Sequence, residues 1–312
     1  MQPQFLKPRE VKLSTRTEIS VRRLLPHAAL RRIGAWVFLD HFGPTPQQDG
    51  MRVQRHPHTG LQTVTWLFDG LVEHRDSVGS QQTIRPGQLN LMTAGRGVAH
   101  SELSLSGAGS SLHAVQLWLA LPAEQADRAP SFQHVEDARR IQLDSASIDV
   151  FIGEYAGIRN EAEVFSPIVG AEVRLTSRTW LPLRKDWQFG LLAVEGSARV
   201  TAGAEPVDIE TNELAYLGEG NRGVWVEPTG GQAARLILLG GEPFTEKLIM
   251  WWNFLARTPE ELTAMRDQWN AQSDPSSPHG LDALAAYPMF ADELGGWIPA
   301  PELPNVTLRP RG

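Results

Sequence analysis

The sequence of 312 residues contains no cysteine. Disulfides, thiolate nucleophiles and cysteine-bound zinc or iron–sulfur centres are therefore excluded, so any metal must be held by His, Asp or Glu. The sequence also has no apolar run of transmembrane length, and its first residues lack the apolar core of a signal peptide. We therefore expect a cytoplasmic protein without a membrane partner.

An excess of basic residues is also missing. The 29 Lys and Arg are outnumbered by 36 Asp and Glu, which gives a net charge of −7. This balance disfavours direct binding of nucleic acid or of an anionic membrane. The length of the chain suggests about two domains, each with its own core.

Glycine and proline are frequent, at 28 and 22 residues, and they interrupt short apolar runs. This pattern predicts many short strands rather than helices, and therefore an all-β protein. Strands are predicted over 62–69, 89–92, 112–121, 189–194, 197–201 and 232–239. One helix is predicted from Thr258 to about Gln272, because Thr258-Pro259-Glu260-Glu261 combines a capping residue, a proline and two acids.

Two segments of the sequence resemble each other at an offset of 125 residues. Residues 84–102 and residues 209–227 both have a strand, a glycine-containing turn and a second strand. This similarity predicts two barrel-sized repeats. A polar, proline-containing stretch over 122–140 is typical of a linker, so we place an N-terminal domain at 1–130 and a C-terminal domain at 131–312.

Two short motifs carry the chemistry, His56-Pro57-His58 and His100-Ser101-Glu102. Because side chains alternate along a strand, residues two apart point to the same face. The 41 residues between His58 and His100 allow several antiparallel strands, which could bring the two pairs together. Three imidazoles and one carboxylate with open positions suit iron(II), although manganese, nickel, copper and zinc bind the same ligands.

Several segments are similar to the N-terminal signature of the pirin family. They cover about residues 30 to 122 and comprise 38–44, 56–60, 71–79, 86–102 and 113–118. The resemblance implies two cupin-type (jelly-roll) β-barrels packed as a bicupin, with the predicted helix at the C-terminal end. It also implies that His56, His58, His100 and Glu102 bind iron(II) and that the second barrel binds no metal.

The C-terminal half departs from the family pattern. The repeat places Trp225 or Val226 at the position of His100, and residues 182–184 contain no histidine pair. Residues 250–254 (MWWNF) stand where typical pirins have a segment with glycine and proline. This difference weakens the inference of the substrate from the resemblance more than it weakens the inference of the metal. Trp251 and Trp252 either pack between helix and barrel or form an aromatic lid over a substrate pocket.

The resemblance implies an oxidoreductase, because several pirins are flavonol 2,3-dioxygenases that act on quercetin. We therefore predict a phenolic substrate, O2 as co-substrate, and Glu102 as both metal ligand and catalytic base for the 3-hydroxyl. The alternative is a non-enzymatic, iron-dependent redox sensor that binds a protein partner in transcription or metabolism. A third hypothesis is an inactive cupin that binds zinc or nickel adventitiously. We expect a monomer in each case.

Four further residues near the motifs have predicted supporting roles. His74 and Asp76 are predicted to form a structural hydrogen bond rather than to bind the metal. Gly95 and Gly97 are predicted to give the backbone the conformation that turns His100 inward.

Overall fold

The fold is described from a computed structural model, which covers residues 3–12, 20–46, 51–105, 111–274, 276 and 278–312. Twelve strands precede residue 136. They are β1 (Gln4–Leu6), β2 (Arg9–Lys12), β3 (Ser20–Leu25), β4 (Trp36–Pro46), β5 (Arg52–His58), β6 (Leu61–Asp69), β7 (Val72–Asp76), β8 (Gln81–Ile84), β9 (Leu89–Thr93), β10 (Val98–Ser104), β11 (Ser111–Ala120) and β12 (Ser131–Val135).

The remaining strands and two helices follow. They are β13 (Arg139–Leu143), β14 (Ala146–Tyr155), β15 (Ile158–Arg159), β16 (Ile168–Leu175), β17 (Thr179–Pro182), β18 (Gln188–Glu195), β19 (Ser197–Thr201), β20 (Val207–Ile209), β21 (Leu214–Leu217), β22 (Gly223–Thr229), β23 (Ala234–Gly241), β24 (Ile249–Trp251), β25 (Phe254–Ala256), α1 (Pro259–Ala271) and α2 (Pro278–Ala286). None of the helices in the described ranges is long and apolar enough to cross a membrane.

The strands form two barrels with the same strand order, which confirms the predicted all-β bicupin. In the first barrel, the sheet β12-β9-β6-β11-β4-β3-β2 faces the sheet β5-β10-β7-β8. In the second, the sheet β1-β21-β18-β23-β16-β14-β13 faces the sheet β17-β22-β19-β20. The position of each strand in one barrel therefore has a counterpart in the other.

The two barrels exchange their first strands. β1 begins the chain but pairs with β21 of the second barrel, whereas β12 pairs with β9 of the first barrel. The exchange ties the barrels together through backbone hydrogen bonds at both edges. The boundary between residues 130 and 131 remains a prediction, and it falls at the start of the exchanged strand β12.

The large sheets of the two barrels pack against each other through apolar side chains. Trp66 of β6 stacks on Phe151 of β14, with ring centroids 4.8 Å apart. Trp66 also donates a hydrogen bond from Nε1 to the buried carboxylate of Glu172 at 2.8 Å. This interface is part of one continuous apolar core that includes residues of both barrels.

The predicted helix is present with the predicted start. Thr258 accepts a hydrogen bond from the backbone N–H of Glu261, whose side chain bonds back to Thr258, and Pro259 is the first helical residue. The second helix, α2, was not predicted. It is nine residues long and includes Gly280, so its local signal is weak. Ala283 is buried within it, and Tyr287, just after its end, packs in the core formed with Leu262 and Trp269 of α1 and Ala99 of β10.

Candidate metal centre

The three histidines of the two motifs meet inside the first barrel. β5 and β10 are antiparallel neighbours, and their register places His56 opposite His100 and His58 opposite Val98. The ring centroid of His56 lies 5.1 Å from that of His58 and 4.3 Å from that of His100. One nitrogen of each of the three rings lies within 4.8 Å of the others, a spacing that allows them to hold one metal ion.

The opposite faces of β5 and β10 explain why these imidazoles point inward. Ala99, adjacent to His100, packs on the core beneath α1, α2 and the C-terminal tail. Arg55, adjacent to His56, donates hydrogen bonds to the side chain of Gln272 and the carbonyl of Tyr287. The helices thus cover the outer face of both strands, and strand alternation directs the histidines into the barrel.

Glu102 lies in the same cavity but in a different group. It is 6% exposed and follows His100 by two residues on β10, after a shift in the register with β5. One of its oxygens lies within 4.8 Å of ring nitrogens of His74 and His100. The structure therefore brings all four predicted residues to one cavity, and it adds His74, which contacts His100 directly.

A chain of hydrogen bonds fixes the orientation of His100. Nε2 of His74 donates to Oδ2 of Asp76 at 3.0 Å, which leaves Nδ1 of His74 as an acceptor. That atom lies 3.3 Å from Nδ1 of His100, which therefore carries the proton. His56 is oriented similarly, because its Nδ1 donates to the carbonyl of Gln54 at 2.9 Å.

Burial sets the charge state of these groups. It lowers the pKa of His56 to about 4, although the hydrogen bond to Gln54 opposes the shift. Burial, followed by repulsion from neighbouring histidines, lowers the pKa of His58 and His100 well below the usual value. Burial alone raises the pKa of Glu102 to about 7. The imidazoles are therefore neutral near pH 7, as metal ligands must be.

Unpaired nitrogen atoms show that the residues fit a metal ion. Nε2 of His100 is buried and has no hydrogen-bond partner in the protein. Nδ1 of His58 is also buried and makes no hydrogen bond of normal geometry, although the backbone of Asn253 is close enough to oppose the fall in the pKa of this ring. A buried polar atom without a partner is unfavourable by about 1–3 kcal/mol. Two such atoms beside a buried carboxylate form a nitrogen-and-oxygen donor set that a divalent cation would satisfy.

A cavity of about 560 Å³ opens onto the three histidines. Its wall includes Phe38 and Trp118, whose rings stack with centroids 3.9 Å apart, and Trp118 also contacts the ring of His58 edge-on. Asp40 accepts two hydrogen bonds from Arg23 at 2.7 Å on the same wall. The cavity therefore has an aromatic wall among aliphatic and polar residues, with an ion pair between the buried Asp40 and the partly exposed Arg23 at its side.

The cavity is completed by segments that are distant in sequence. Trp252 and Asn253, in the turn between β24 and β25, line it together with Ile298, Pro299 and Pro301 of the tail. Both predicted roles of the Trp251-Trp252 pair are represented: both rings pack against the core beneath the helices, and Trp252 also lines the cavity. The four prolines between Gly295 and Gly312 predict an extended tail that packs on a barrel, but they do not predict that the tail lines this cavity.

The two barrels of this chain define a bicupin. Among the described residues, both groups that could hold a metal ion lie in the first barrel. Residues 18–119 match the Pirin family, and residues 169–273 match the Pirin C-terminal cupin domain. The chain belongs to the pirin family.

Related proteins align over most of the chain. A "Putative quercetin 2,3-dioxygenase" of Pseudomonas aeruginosa is 44% identical over 80% of this chain and 79% of its own. A pirin-like protein of Caulobacter vibrioides is 33% identical over 80% of this chain and 88% of its own. A crystal structure of quercetin 2,3-dioxygenase from Acinetobacter baumannii is 34% identical, has a TM-score of 0.88, and aligns over 99% of this chain and 98% of its own.

Proposed function

We propose that this protein is a non-haem iron dioxygenase that binds iron(II) through His56, His58, His100 and Glu102 and cleaves flavonols such as quercetin with O2. The observation that carries the proposal is the cavity of about 560 Å³, with the stacked rings of Phe38 and Trp118 in its wall, that opens onto three buried, neutral histidines. The names of the relatives from Pseudomonas aeruginosa and Acinetobacter baumannii support the same substrate.

Bound iron(II) would supply Lewis acidity toward the 3-hydroxyl of the flavonol and electron exchange with O2. The protein positions the substrate. The stacked rings of Phe38 and Trp118 provide a flat surface for an aromatic ring, and Trp252 approaches from the β24–β25 turn. Glu102 lies in the same cavity and accepts the proton that the 3-hydroxyl loses on binding.

The tail has a separate contribution, the exclusion of water. Ile298 and two prolines of the tail line the cavity, and the backbone N–H of Ile298 donates to the carbonyl of Arg55, adjacent to His56. An apolar wall at this place keeps solvent from the reacting atoms and strengthens the interaction between substrate and charged groups. A cavity that leads to three buried histidines and has an aromatic wall suits an enzyme, whereas a regulator that binds a partner through its surface does not need one.

The test is oxygen consumption by the iron-loaded protein with quercetin. We expect uptake by the wild type and a loss of at least about 100-fold in His58→Ala, because even the loss of a residue that only supports a ligand costs 10–100-fold. His134→Ala is the matched control, since His134 lies in β12 and bonds to Asn90 outside the cavity. It should retain full activity and metal content.

Loading the same protein with zinc gives a second control. Zinc fills nitrogen and oxygen sites but does not change oxidation state, so uptake should disappear. Metal-loaded wild type that consumes no O2 with quercetin or other phenols would refute the proposed activity. The regulatory hypothesis predicts that outcome, together with binding of a protein partner that depends on iron(II) or iron(III).

A further inference from the structure

A cleft of about 290 Å³ lies where the C-terminal tail packs beside the β24–β25 hairpin. All four charged residues in its lining are arginines, two from the loop between β3 and β4 and two from the tail: Arg31, Arg32, Arg309 and Arg311. We call it the arginine cleft. It shares no lining residue with the metal cavity, so a ligand bound here would be separate from the metal centre.

The positive charge of the arginine cleft is not neutralised within the described part of the chain. None of its four arginines forms an ion pair there, whereas Arg140 and Arg174, for example, share the carboxylate of Asp149. Burial lowers the pKa of Arg32, and the charge of Glu246 opposes this shift. The carboxylate of Glu246 is, however, already paired with Arg257 at 2.9 Å. The cleft therefore concentrates positive charge on a protein whose net charge is −7.

Defined contacts bring the two arginine-bearing segments together. Leu248 and Arg311 exchange two backbone hydrogen bonds, each 2.9 Å long, which fix the tail beside the start of β24. Nη1 of Arg32 donates to the carbonyl of Glu246 at 2.8 Å, and its guanidinium lies 5.4 Å from the ring centroid of Phe244. Like charges held in one cleft repel each other, and a bound anion would relieve that repulsion.

The floor of the arginine cleft is apolar. Val37, Leu248 and Leu255 are buried and belong to one apolar cluster, against which Met250 also packs. A fully hydrated inorganic ion would gain nothing from such a surface, whereas a ligand with an apolar part would bury it there. The volume of about 290 Å³ is at the lower end for ligand sites, which favours a small molecule.

We propose that the arginine cleft binds a small organic phosphate, with its apolar part on the floor and its phosphate oxygens accepting hydrogen bonds from the arginines. A guanidinium presents paired N–H donors that match phosphate oxygens. A phosphate monoester has nearly two negative charges and three terminal oxygens, so it suits several arginines at once. A single carboxylate has one charge and two oxygens and would leave more of the positive charge uncompensated.

The first test compares three probes by calorimetry on the metal-loaded protein at pH 8, where benzyl phosphate is a dianion. Benzyl phosphate should bind at least about five-fold more tightly than inorganic phosphate, because its ring covers the apolar floor. It should bind about ten-fold more tightly than phenylacetate, which has the same ring but a single charge. Equal affinities for benzyl phosphate and either of the other probes would overturn the proposal.

Variants then assign the binding to this cleft. Arg31 and Arg309 are exposed, so Arg31→Gln and Arg309→Gln should unfold at the temperature of the wild type while each lowers the affinity for benzyl phosphate about ten-fold. Arg85→Gln is the matched control, since Arg85 is equally exposed in the turn before β9 and lies outside the cleft. It should bind like the wild type.

Two other locations for the phosphate give different results. Binding at the metal centre would be lost in His58→Ala and retained in both arginine variants, whereas the proposal predicts that His58→Ala binds like the wild type. A membrane surface would be recognised through lipid phosphates, so the protein is also sedimented with vesicles of phosphatidylcholine and phosphatidic acid. We expect no binding to the vesicles. Vesicle binding that is lost in Arg31→Gln and Arg309→Gln would overturn the proposal of a small ligand.

Discussion

The proton positions of single histidines decide whether the first barrel can bind a metal. A neutral imidazole binds through the nitrogen without a proton, and the other nitrogen needs an acceptor that keeps the proton in place. Asp76 begins this arrangement, since it accepts from His74, and His74 in turn accepts from Nδ1 of His100. The free electron pair of His100 therefore lies on Nε2, the buried atom without a partner.

Asp76→Asn should disturb this arrangement while changing little of the shape. Oδ1 of Asp76 accepts from the backbone N–H groups of Val78 and Ser80, so the amide oxygen would stay there and the amide nitrogen would face His74. The proton of His74 then moves to Nδ1, and that of His100 moves to Nε2, where it competes with the metal. We expect metal affinity to fall about 10–100-fold, measured by competition with a chelator.

A surface carboxylate provides the control for this substitution. Asp208 pairs with Arg199 at 2.7 Å in the second barrel, and Asp208→Asn should leave metal affinity unchanged. The absorption spectrum of the cobalt-loaded protein should also change only in Asp76→Asn. Equal metal affinities for Asp76→Asn and the wild type would show that His100 needs no such support.

At the scale of single elements, the turn between β9 and β10 determines how His100 enters the barrel. Gly95 has φ +52° and Gly97 has φ +153°, and both angles favour glycine. A Cβ atom on Gly95 would lie 2.1 Å from the carbonyl oxygen of Arg128. The predicted need for glycine before His100 therefore has two causes, the backbone angle and the close approach of another segment.

Gly95→Ala should lower the free energy of unfolding by about 2–4 kcal/mol, from backbone strain and from displacement of the segment at Arg128. Urea unfolding measures the change. Gly79→Ala separates the two causes, since Gly79 has φ +95° in the turn before β8 and no atom lies within 4 Å of its added Cβ. It should lose only about 1 kcal/mol. Similar losses in both variants would argue against the steric contribution.

Local signals were enough to predict some elements correctly. The capping residues of α1 lie within four positions, and strand alternation relates His56 to His58 and His100 to Glu102 whatever the rest of the fold. What the sequence did not predict depends on distant segments. The tail at Ile298 lines the metal cavity from 240 residues beyond His58, and no local pattern marks such a contact.

At the scale of the whole molecule, a chain of polar groups crosses from one barrel to the other. Nε2 of His41 on β4 lies 2.8 Å from Nε2 of His113 on β11, so one of these atoms donates to the other. Nδ1 of His41 lies 2.7 Å from Oδ1 of Asn212, and Nδ1 of His113 lies 3.3 Å from the carboxylate of Glu195, both in the second barrel. The chain thus joins the barrels through two buried histidines and ends at the half-exposed carboxylate of Glu195.

The protonation of these two histidines makes the stability of the protein depend on pH. Burial, then repulsion from His113, lowers the pKa of His41 to about 3. Burial, then repulsion from Arg235, lowers the pKa of His113 to about 4. Both values lie below that of an unfolded histidine, about 6.5, so below that pH the unfolded chain binds more protons than the folded protein. The free energy of unfolding therefore falls as the pH decreases from about 6.5 to about 4.

His113→Gln should remove the contribution of one histidine while its amide can still form a hydrogen bond with His41. Over this range one histidine contributes a slope of about 1.4 kcal/mol per pH unit, and the variant should show a slope smaller by about that amount. Urea unfolding at pH 7.5, 6.0 and 5.0 measures the pH dependence of the free energy of unfolding for the wild type and the variant. The histidines at the metal centre are present in both proteins, so their contribution cancels in the comparison. Equal slopes for the wild type and His113→Gln would mean that the His41–His113 pair takes up protons in the folded protein as easily as in the unfolded chain.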